Sequence, residues 1–297
     1  MADRNPLLED WTTPFGAPPL GDIRPDHFRP AYDAAMAEQL ANIARIVESP
    51  AAPGFADLEA LERSGRLLDR VGAVFENLSS SASNEALQEI ERAMSPLLAK
   101  HADAIRLDPR LYARIKAVFE ARAALGLAPE QLRLVEETHR RFVRAGAALD
   151  ESARERLKAL NEEMASLGTD FRLKVLKDTG DFALILDSEA DLAGLPPFAI
   201  DAAAEAAKER GHAGKWAITL QRPSVEPFLT FSARRDLREQ AYAAFTRRGD
   251  NGNAQDTNAL IVRIAALRQE RARLLGYPHH AAYKLDGAMA KTPASAA

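Results

Sequence analysis

Apolar residues recur every three or four positions through most of the first 176 residues, and this period constrains the fold more than any other feature. Such spacing places the apolar side chains on one face of an α-helix. The first run consists of Phe28, Tyr32, Met36, Leu40, Ile43 and Val47. Aromatic residues make up only 6% of the chain, so alanine and leucine supply most of the apolar content, which favours helices over sheets. The pattern predicts a mainly α fold, a multi-helix array with short connections.

Capping residues and prolines predict where these helices begin. Asp108 before Pro109, Pro129 and Asp150 are start signals, because a carboxylate caps free amides and proline suits the first helical position. Ser83 and Ser232 are expected to open two further helices by the same capping chemistry.

A change of pattern near residue 181 predicts a small β element at 181–220. Within residues 181–187, Phe182, Leu184 and Leu186 lie at every second position, and 215–220 form a second short strand candidate. An alanine-rich helix over 196–210 separates them. Ser188 with Asp191 resembles a capping box for a short helical turn.

Three regions are expected along the chain. Prolines and glycines make residues 1–25 an extended arm, because each proline removes a backbone donor and restricts the residue before it. The apolar residues expected to anchor this arm on a folded body are Leu7, Leu8, Trp11, Phe15 and Ile23. An N-terminal helical domain is predicted for 26–176. Residues 177–297 are expected to hold the β element and further helices that lead into a missing C-terminal catalytic domain.

Composition excludes several classes of function. The net charge is −4 with both signs interspersed, which gives no basic footprint for nucleic acid or an anionic membrane surface. No run of apolar residues reaches the length of a membrane-spanning helix. The absence of cysteine rules out disulfides and thiolate catalysis. With no apolar run of signal-peptide type at the N-terminus, we expect a cytoplasmic protein.

The histidines and carboxylates of the chain show no strong metal-binding motif. No two of the six histidines have the i, i+4 spacing of a zinc-binding helix, and phosphate loops and the serine hydrolase motif are also missing. Glu136 with His139 and Glu209 with His212 match the Glu-x-x-His spacing of di-iron bundles. Charged neighbours beside the first pair and Gly211 within the second favour a solvated surface and a helix end instead. We therefore predict no catalytic, cofactor-binding or metal-binding residue in this chain.

Other polar and aromatic clusters have structural explanations too. His279 and His280 follow a proline at a helix start, which favours a capping role. The arginine clusters are able to clamp a carboxylate or phosphate, but charges near helix ends are the simpler interpretation. They comprise Arg234, Arg235, Arg238, Arg247 and Arg248. Trp11 and Trp216 are interpreted as packing residues.

Several segments in a fixed order carry a family resemblance. They are Leu167–Phe171, Leu192–Pro196, Trp216–Ser224, Arg235–Glu239, Leu267–Tyr277 and Ala282–Ala290, with Asn5–Leu8 and Pro14–Phe15 near the start. Together they resemble the front part of the thimet-oligopeptidase family of zinc metallopeptidases, with most likeness to its bacterial peptidyl-dipeptidase and oligopeptidase A members. The resemblance extends from end to end of the chain, which covers less than half of a typical member.

The resemblance implies a function that this chain does not perform alone. Family members are mainly helical and enclose a deep channel for short peptides, and the peptidyl-dipeptidase members release C-terminal dipeptides. Their zinc site lies downstream of the matched segments, so zinc is expected in the complete enzyme and none in this chain. Thr292 before Pro293 is a helix-start signal just before the end, as expected of a truncated chain. The expected role is one wall of the substrate channel, inactive alone and completed by a C-terminal catalytic half. The alternative is a non-catalytic helical scaffold or interaction protein.

Overall fold

A computed structural model describes residues 4–297, and most of them are helical. The helices are α1 (Phe28–Val47), α2 (Phe55–Arg63), α3 (Arg66–Ser81), α4 (Glu85–Arg106), α5 (Pro109–Ala121), α6 (Pro129–Ala145), α7 (Glu151–Asp181), α8 (Pro197–Glu209), α9 (Arg222–Phe231), α10 (Arg235–Thr246), α11 (Asn258–Leu274), α12 (His280–Leu285) and α13 (Pro293–Ala296). The strands are β1 (Ala183–Leu186) and β2 (Trp216–Thr219). The mainly α prediction with a small β element is confirmed.

The chain forms two compact units. The first runs to Thr169 and resumes at Ala266, and the second comprises Asp170–Ala265. Their boundaries fall within α7 and within α11. The division into regions 1–25, 26–176 and 177–297 stays a prediction.

The core of the first unit is built around α1. Phe28 and Tyr32 of α1 both meet the ring of Phe75 on α3 edge to face, with ring centroids 5.0 and 5.8 Å apart. Met94 of α4 joins the same cluster of buried side chains. Burying aromatic and aliphatic side chains of this size contributes about 1.5–3 kcal/mol each, so α1 is the central support of the unit.

The N-terminal arm packs on this core through only some of its apolar residues. Leu7 is fully buried, and Trp11 and Ile23 pack against the same cluster. Leu8 and Phe15 are exposed, so the prediction that they anchor the arm is wrong. Leu7 and Leu8 share one tight 3₁₀ turn (Pro6–Leu8), in which adjacent side chains point in different directions. The arm therefore contacts the body through Leu7, Trp11 and Ile23.

In the second unit, β1 and β2 pair antiparallel. Ala183 lies opposite Thr219 and Leu186 lies opposite Trp216, with α8 in the intervening sequence. Leu186, Ile218 and Phe228 belong to one buried cluster beneath this two-stranded sheet. Two strands alone are marginally stable, so the helices packed on the sheet stabilise it.

A close backbone approach in this unit requires glycine. Gly194 has φ +87°, a left-handed conformation that other residues adopt at a cost. A Cβ atom at this position would overlap the carbonyl oxygen of Phe231 and lie 2.9 Å from the amide nitrogen of Ala233. The turn before α8 is therefore held directly against the end of α9.

Two predicted helix starts are corrected by one to three residues. Asn84, and not Ser83, caps α4, because its side-chain oxygen accepts a hydrogen bond from the Leu87 amide at 3.0 Å. Ser232 lies at the C-terminal cap of α9, and α10 begins at Arg235.

Helix α9 was not predicted because Pro223 and Pro227 interrupt the usual helical pattern. Pro223 falls in the first turn, where its missing N–H has no partner to lose.

Candidate functional site

A cavity of about 840 Å³ opens within the first unit, and we call it the α3–α4 cavity. It is bounded by residues from α1, α2, α3, α4, α6 and α12 together with the turn between α2 and α3. Its lining comprises Gln39, Leu61, Glu62, Ser64, Gly65, Leu68, Asp69, Glu76, Leu98, His101, Ala102, Ile105, Arg106, Thr138, Arg141, Phe142, Arg144, Ala145 and Tyr283. A volume of this size falls in the range of small-ligand pockets.

A neutral histidine lies in the wall of the cavity. His101 is 7% exposed, and its Nε2 lies 2.7 Å from Oε1 of Gln39, which accepts the hydrogen bond. The Gln39 amide group in turn donates to Oγ of Ser64 at 3.4 Å. Burial lowers the pKa of His101 below its ordinary value because the charged ring would lose its water. The ring is therefore uncharged at neutral pH.

Some charges around the cavity are already paired. Arg141 of α6 donates to Oε1 of Glu62 at 2.8 Å and to the Thr138 hydroxyl at 3.0 Å. The Arg144 guanidinium donates to the backbone oxygen of Tyr283 at 2.7 Å and also pairs with Asp286. These contacts leave little free charge at this end of α6.

Three other charged groups of the lining are unpaired. Asp69 and Glu76 on α3 and Arg106 on α4 are all exposed to the cavity and solvent. Within residues 4–297, none of their side chains forms a hydrogen bond or an ion pair closer than 4.0 Å, but Arg106 lies near enough to Asp103 to favour the charged form of that carboxyl. They are the charges that a ligand in the α3–α4 cavity would meet.

Helix α12 places Tyr283 at the cavity. The Arg144 guanidinium carbon lies 5.0 Å from the centre of the Tyr283 ring, a cation–π arrangement. The Tyr277 hydroxyl donates to Oδ2 of Asp286 at 2.9 Å. This hydrogen bond and the contact with Arg144 hold the pKa of Asp286 below its ordinary value. One arginine of α6 thus fixes the whole segment that carries Tyr283.

A buried polar network lies behind α4. Asp103 is 8% exposed, and both of its carboxylate oxygens accept from the Asn161 amide group at 3.0 Å. Arg271 of α11 donates to Oδ1 of Asn161 at 3.4 Å. Burial raises the pKa of Asp103, and the hydrogen bond from Asn161 opposes that effect. The network ties α4 to α7 and α11.

In the second unit, one carboxylate organises the loop between α10 and α11. Asp178 is 8% exposed and accepts from the Gly249 amide at 2.8 Å and from the side chains of Asn251 and Asn253 at 2.8 and 3.1 Å. Burial acts to raise the pKa of Asp178, but these hydrogen bonds outweigh it and hold the pKa below the ordinary value. The carboxylate oxygens of Asp178 accept from N–H donors of the loop between α10 and α11, so this carboxylate stabilises that loop.

The two Glu-x-x-His pairs do not come together as metal ligands. The ring of His139 stacks on Phe119 with centroids 4.0 Å apart, and Glu136 lies 3.8 Å from Arg122. Helix α8 ends at Glu209, and His212 follows beyond the left-handed Gly211. Across residues 4–297 no three histidine, aspartate or glutamate side chains gather in a metal-binding group. The donor set described here therefore does not fit a zinc site.

The remaining sequence candidates have structural roles. Nδ1 of His279 accepts from the Ala282 amide at 3.1 Å, so the predicted capping role is confirmed. Arg234 is engaged by two carboxylates, with Asp236 2.7 Å away and Asp191 also in contact. The Arg248 guanidinium donates to the backbone oxygen of Phe245 at 2.8 Å, at the C-terminal end of α10.

Sequence reasoning missed the α3–α4 cavity. Its lining is drawn from six helices, and no local motif marks any of these residues. The only available signal was the position of Asp69 and Glu76 at i and i+7 on α3, which puts two carboxylates on one face.

None of the helices found in residues 4–297 combines the length and the apolar composition needed to cross a membrane.

Comparison with known proteins shows relatives over the whole chain. Residues 228–297 match the sequence model of peptidase family M3. The chain is 41% identical over 293 residues to a dipeptidyl carboxypeptidase of Salmonella typhimurium, covering 98% of this chain and 43% of that protein. It is 40% identical over 297 residues to a dipeptidyl carboxypeptidase of Escherichia coli, covering all of this chain and 44% of that protein. Oligopeptidase A of Haemophilus influenzae is 28% identical to this chain over 297 residues, which cover 99% of this chain and 43% of that protein.

The chain thus spans less than half the length of the curated relatives it matches. Its family resemblance is confirmed. The similarity to peptidase family M3 therefore lies in residues 228–297, and the similarity to the two dipeptidyl carboxypeptidases extends over the whole chain.

Proposed function

We propose that this chain is the N-terminal part of a cytoplasmic zinc metallopeptidase that releases C-terminal dipeptides from short peptides. The observation that carries the proposal is the end-to-end alignment with two dipeptidyl carboxypeptidases at 40% identity or more, over less than half of their length. A match of this kind supports a role for the chain as one part of a longer enzyme.

The proposed role is to form one wall of the substrate channel and so restrict the size of substrates. Multi-helix packing around α1 supplies a rigid wall, and the α3–α4 cavity gives that wall a recessed, charged surface. In a complete enzyme, zinc would activate a water molecule to attack the peptide carbonyl, with a glutamate as general base. No residue among 4–297 is assigned to that step, because no three histidine, aspartate or glutamate side chains gather there.

The partner of this wall is the C-terminal catalytic half. Ile261 and Val262 on α11 are exposed, at 49% and 71%. Adjacent exposed aliphatic side chains are typical of a surface that another protein part covers. Leu267 on the same helix is fully buried, so only part of α11 is available for such a partner.

Reading the coding sequence past the codon for Ala297 tests the assignment. We expect it to continue in frame into a segment with the H-E-x-x-H motif. We also expect the 297-residue chain alone to hold no zinc after dialysis and to leave a fluorogenic peptide uncut. Chelator-sensitive cleavage by this chain would contradict the proposal. A stop codon directly after Ala297 would favour the non-catalytic scaffold.

A further inference from the structure

A second recess in the first unit collects an excess of positive charge. It has a volume of about 480 Å³ and lies between α5 and α6, and we call it the α5–α6 pocket. The cations that line it are Arg122, Arg133, Arg140 and Lys291. Two carboxylates, Glu136 and Glu137, line it as well. The lining therefore has two more positive than negative side chains.

The two arginines of α6 converge on one carboxylate and have donors to spare. Nη2 of Arg133 lies 2.6 Å from Oε1 of Glu137, and Nε of Arg140 donates to Oε2 of the same residue at 3.1 Å. A guanidinium carries five N–H donors, so one carboxylate does not satisfy both side chains. Arg133 and Arg140 are exposed, and their remaining donors are open to a ligand.

An aromatic stack fixes Arg122 at the other wall of the pocket. Its guanidinium carbon lies 3.9 Å from the centre of the Phe119 ring, which also stacks on His139. Nη1 of Arg122 donates to the backbone oxygen of Phe119 at 2.7 Å. The carboxylate of Glu136 is 3.8 Å away, which is too far for a hydrogen bond. The guanidinium is thus held in position without a hydrogen bond to this carboxylate.

Lys291 enters the pocket from a strained backbone. Its φ is +60°, in the left-handed region that residues other than glycine seldom adopt. The segment before it packs on α6, since a Cβ atom at Gly287 would lie 3.5 Å from Nη1 of Arg140. Within residues 4–297, the Lys291 side chain forms no hydrogen bond and no ion pair. Gathering an unpaired ammonium group and three guanidiniums in one small pocket is costly unless an anion offsets their charge.

We propose that the α5–α6 pocket binds phosphate, either free or as the monoester of a small molecule. A phosphate group carries close to two negative charges at neutral pH, which matches the excess charge of the lining. Its acceptor oxygens suit the planar donor sets of Arg133 and Arg140, and Lys291 would supply an unpaired ammonium group. The inference is independent of the proposed function, because that function assigns no role to this pocket.

Other ligands match the pocket less well. A carboxylate carries a single charge and would leave one excess cation without a partner. A metal ion would face the four cations of the lining. A long polyanion such as nucleic acid would meet Glu136 and Glu137, and the net charge of −4 on the chain would repel it. Charge complementarity therefore favours a small dianion.

Titration of the isotope-labelled 297-residue chain with sodium phosphate at constant ionic strength tests the site. We expect saturable amide shifts at Phe119, Arg122 and Lys291 in a nitrogen–proton correlation spectrum, and none when sodium chloride replaces the phosphate. The ring of His139 supplies a second signal. Its pKa lies below the ordinary value because of burial and, secondly, the charge of Arg122. A bound phosphate would offset that charge, so the pKa of His139 should rise on binding.

Two lysine variants separate a specific site from a general charge effect. Lys291→Gln should weaken phosphate binding about two- to fivefold, as for the loss of one exposed charge pair. Lys284→Gln is the matched control, because Lys284 is exposed on α12, carries the same charge and does not line the pocket, so its loss should leave the affinity unchanged.

Phenyl phosphate distinguishes the two sources of the group. Tighter binding than that of inorganic phosphate would identify a monoester as the ligand, equal or weaker binding would identify free phosphate, and both results support the site. Absence of saturable shifts at millimolar phosphate, or shifts that chloride reproduces, would overturn the inference. Equal phosphate affinities of Lys291→Gln and Lys284→Gln would overturn it too.

Discussion

Replacing Asp178 should destabilise the loop between α10 and α11. The carboxylate accepts three N–H groups, and hydrogen bonds to a charged acceptor are each worth about 1.5–3 kcal/mol. Asn251 and Asn253 are exposed and would recover most of their share from water. The Gly249 amide is buried, and leaving it unpartnered costs about 1–3 kcal/mol. We therefore expect Asp178→Ala to lower the free energy of unfolding of the second unit by about 2–4 kcal/mol.

The matched control lies one turn away on the same helix. Asp181 is exposed and pairs with Lys177 at 3.0 Å, an i, i+4 surface pair worth about 0.3–0.5 kcal/mol. Urea unfolding followed by Trp216 fluorescence measures both variants, in a Trp11→Phe background that removes the signal of the first unit. If Asp178→Ala and Asp181→Ala differ by less than about 0.5 kcal/mol, the carboxylate does not hold the loop and this reasoning is refuted.

The same carboxylate predicts a dependence on pH. Its pKa is lower in the folded chain than the ordinary value of 3.8, so its stabilising effect is fully present above that value. The effect is lost as the pH falls through the folded pKa. The stability difference between the parent chain and Asp178→Asn should therefore shrink below about pH 4. A difference that stays constant or grows in acid would contradict the hydrogen-bonding account.

Three further perturbations test other parts of the fold. Leu7→Ala should lower the free energy of unfolding by about 2–5 kcal/mol because the Leu7 side chain is fully buried. Leu8→Ala should change it by less than about 0.5 kcal/mol because Leu8 is exposed. Equal urea midpoints for the two variants would refute the docking of the arm. Gly194→Ala should lower the melting temperature far more than Gly211→Ala. Both glycines have positive φ, but only a Cβ at Gly194 would meet backbone atoms within 4 Å. Similar melting temperatures for the two variants would contradict the close contact of Gly194 with the end of α9. The free energy of unfolding should fall as the pH drops below 6.5, the ordinary pKa of histidine, because His101 then binds a proton in the unfolded chain but resists it when buried. A His101→Gln variant that loses as much stability between pH 7 and 5 as the parent chain would contradict this assignment.

Helix positions could be predicted from sequence because their signals are local. The apolar period from Phe28 to Val47 coincides with α1, and the predicted cap Asp108 accepts from the Arg110 amide at 2.7 Å. The predicted capping box also forms, with the Ser188 amide 3.2 Å from Oδ2 of Asp191. These features depend on residues at most about one helical turn away.

Packing between helices determines the features that the sequence did not predict. Leu8 and Phe15 are as apolar as Leu7, but only Leu7 points into the core of the first unit. Helix α9 forms despite two prolines because Val225 and Phe228 are buried in the core of the second unit. The α3–α4 cavity likewise depends on how six helices pack, and no pattern within one helix encodes it.

The central claim is that this chain supplies one part of a peptidase and leaves the chemistry to another. The most direct measurement joins the chain to the remaining part of the Salmonella typhimurium dipeptidyl carboxypeptidase and identifies the products of a short peptide by mass spectrometry. Our account predicts release of C-terminal dipeptides by the joined protein, abolished by a chelator, and no products from the 297-residue chain alone. A folded joined protein that leaves the peptide intact, or dipeptides released by the chain alone, would contradict it.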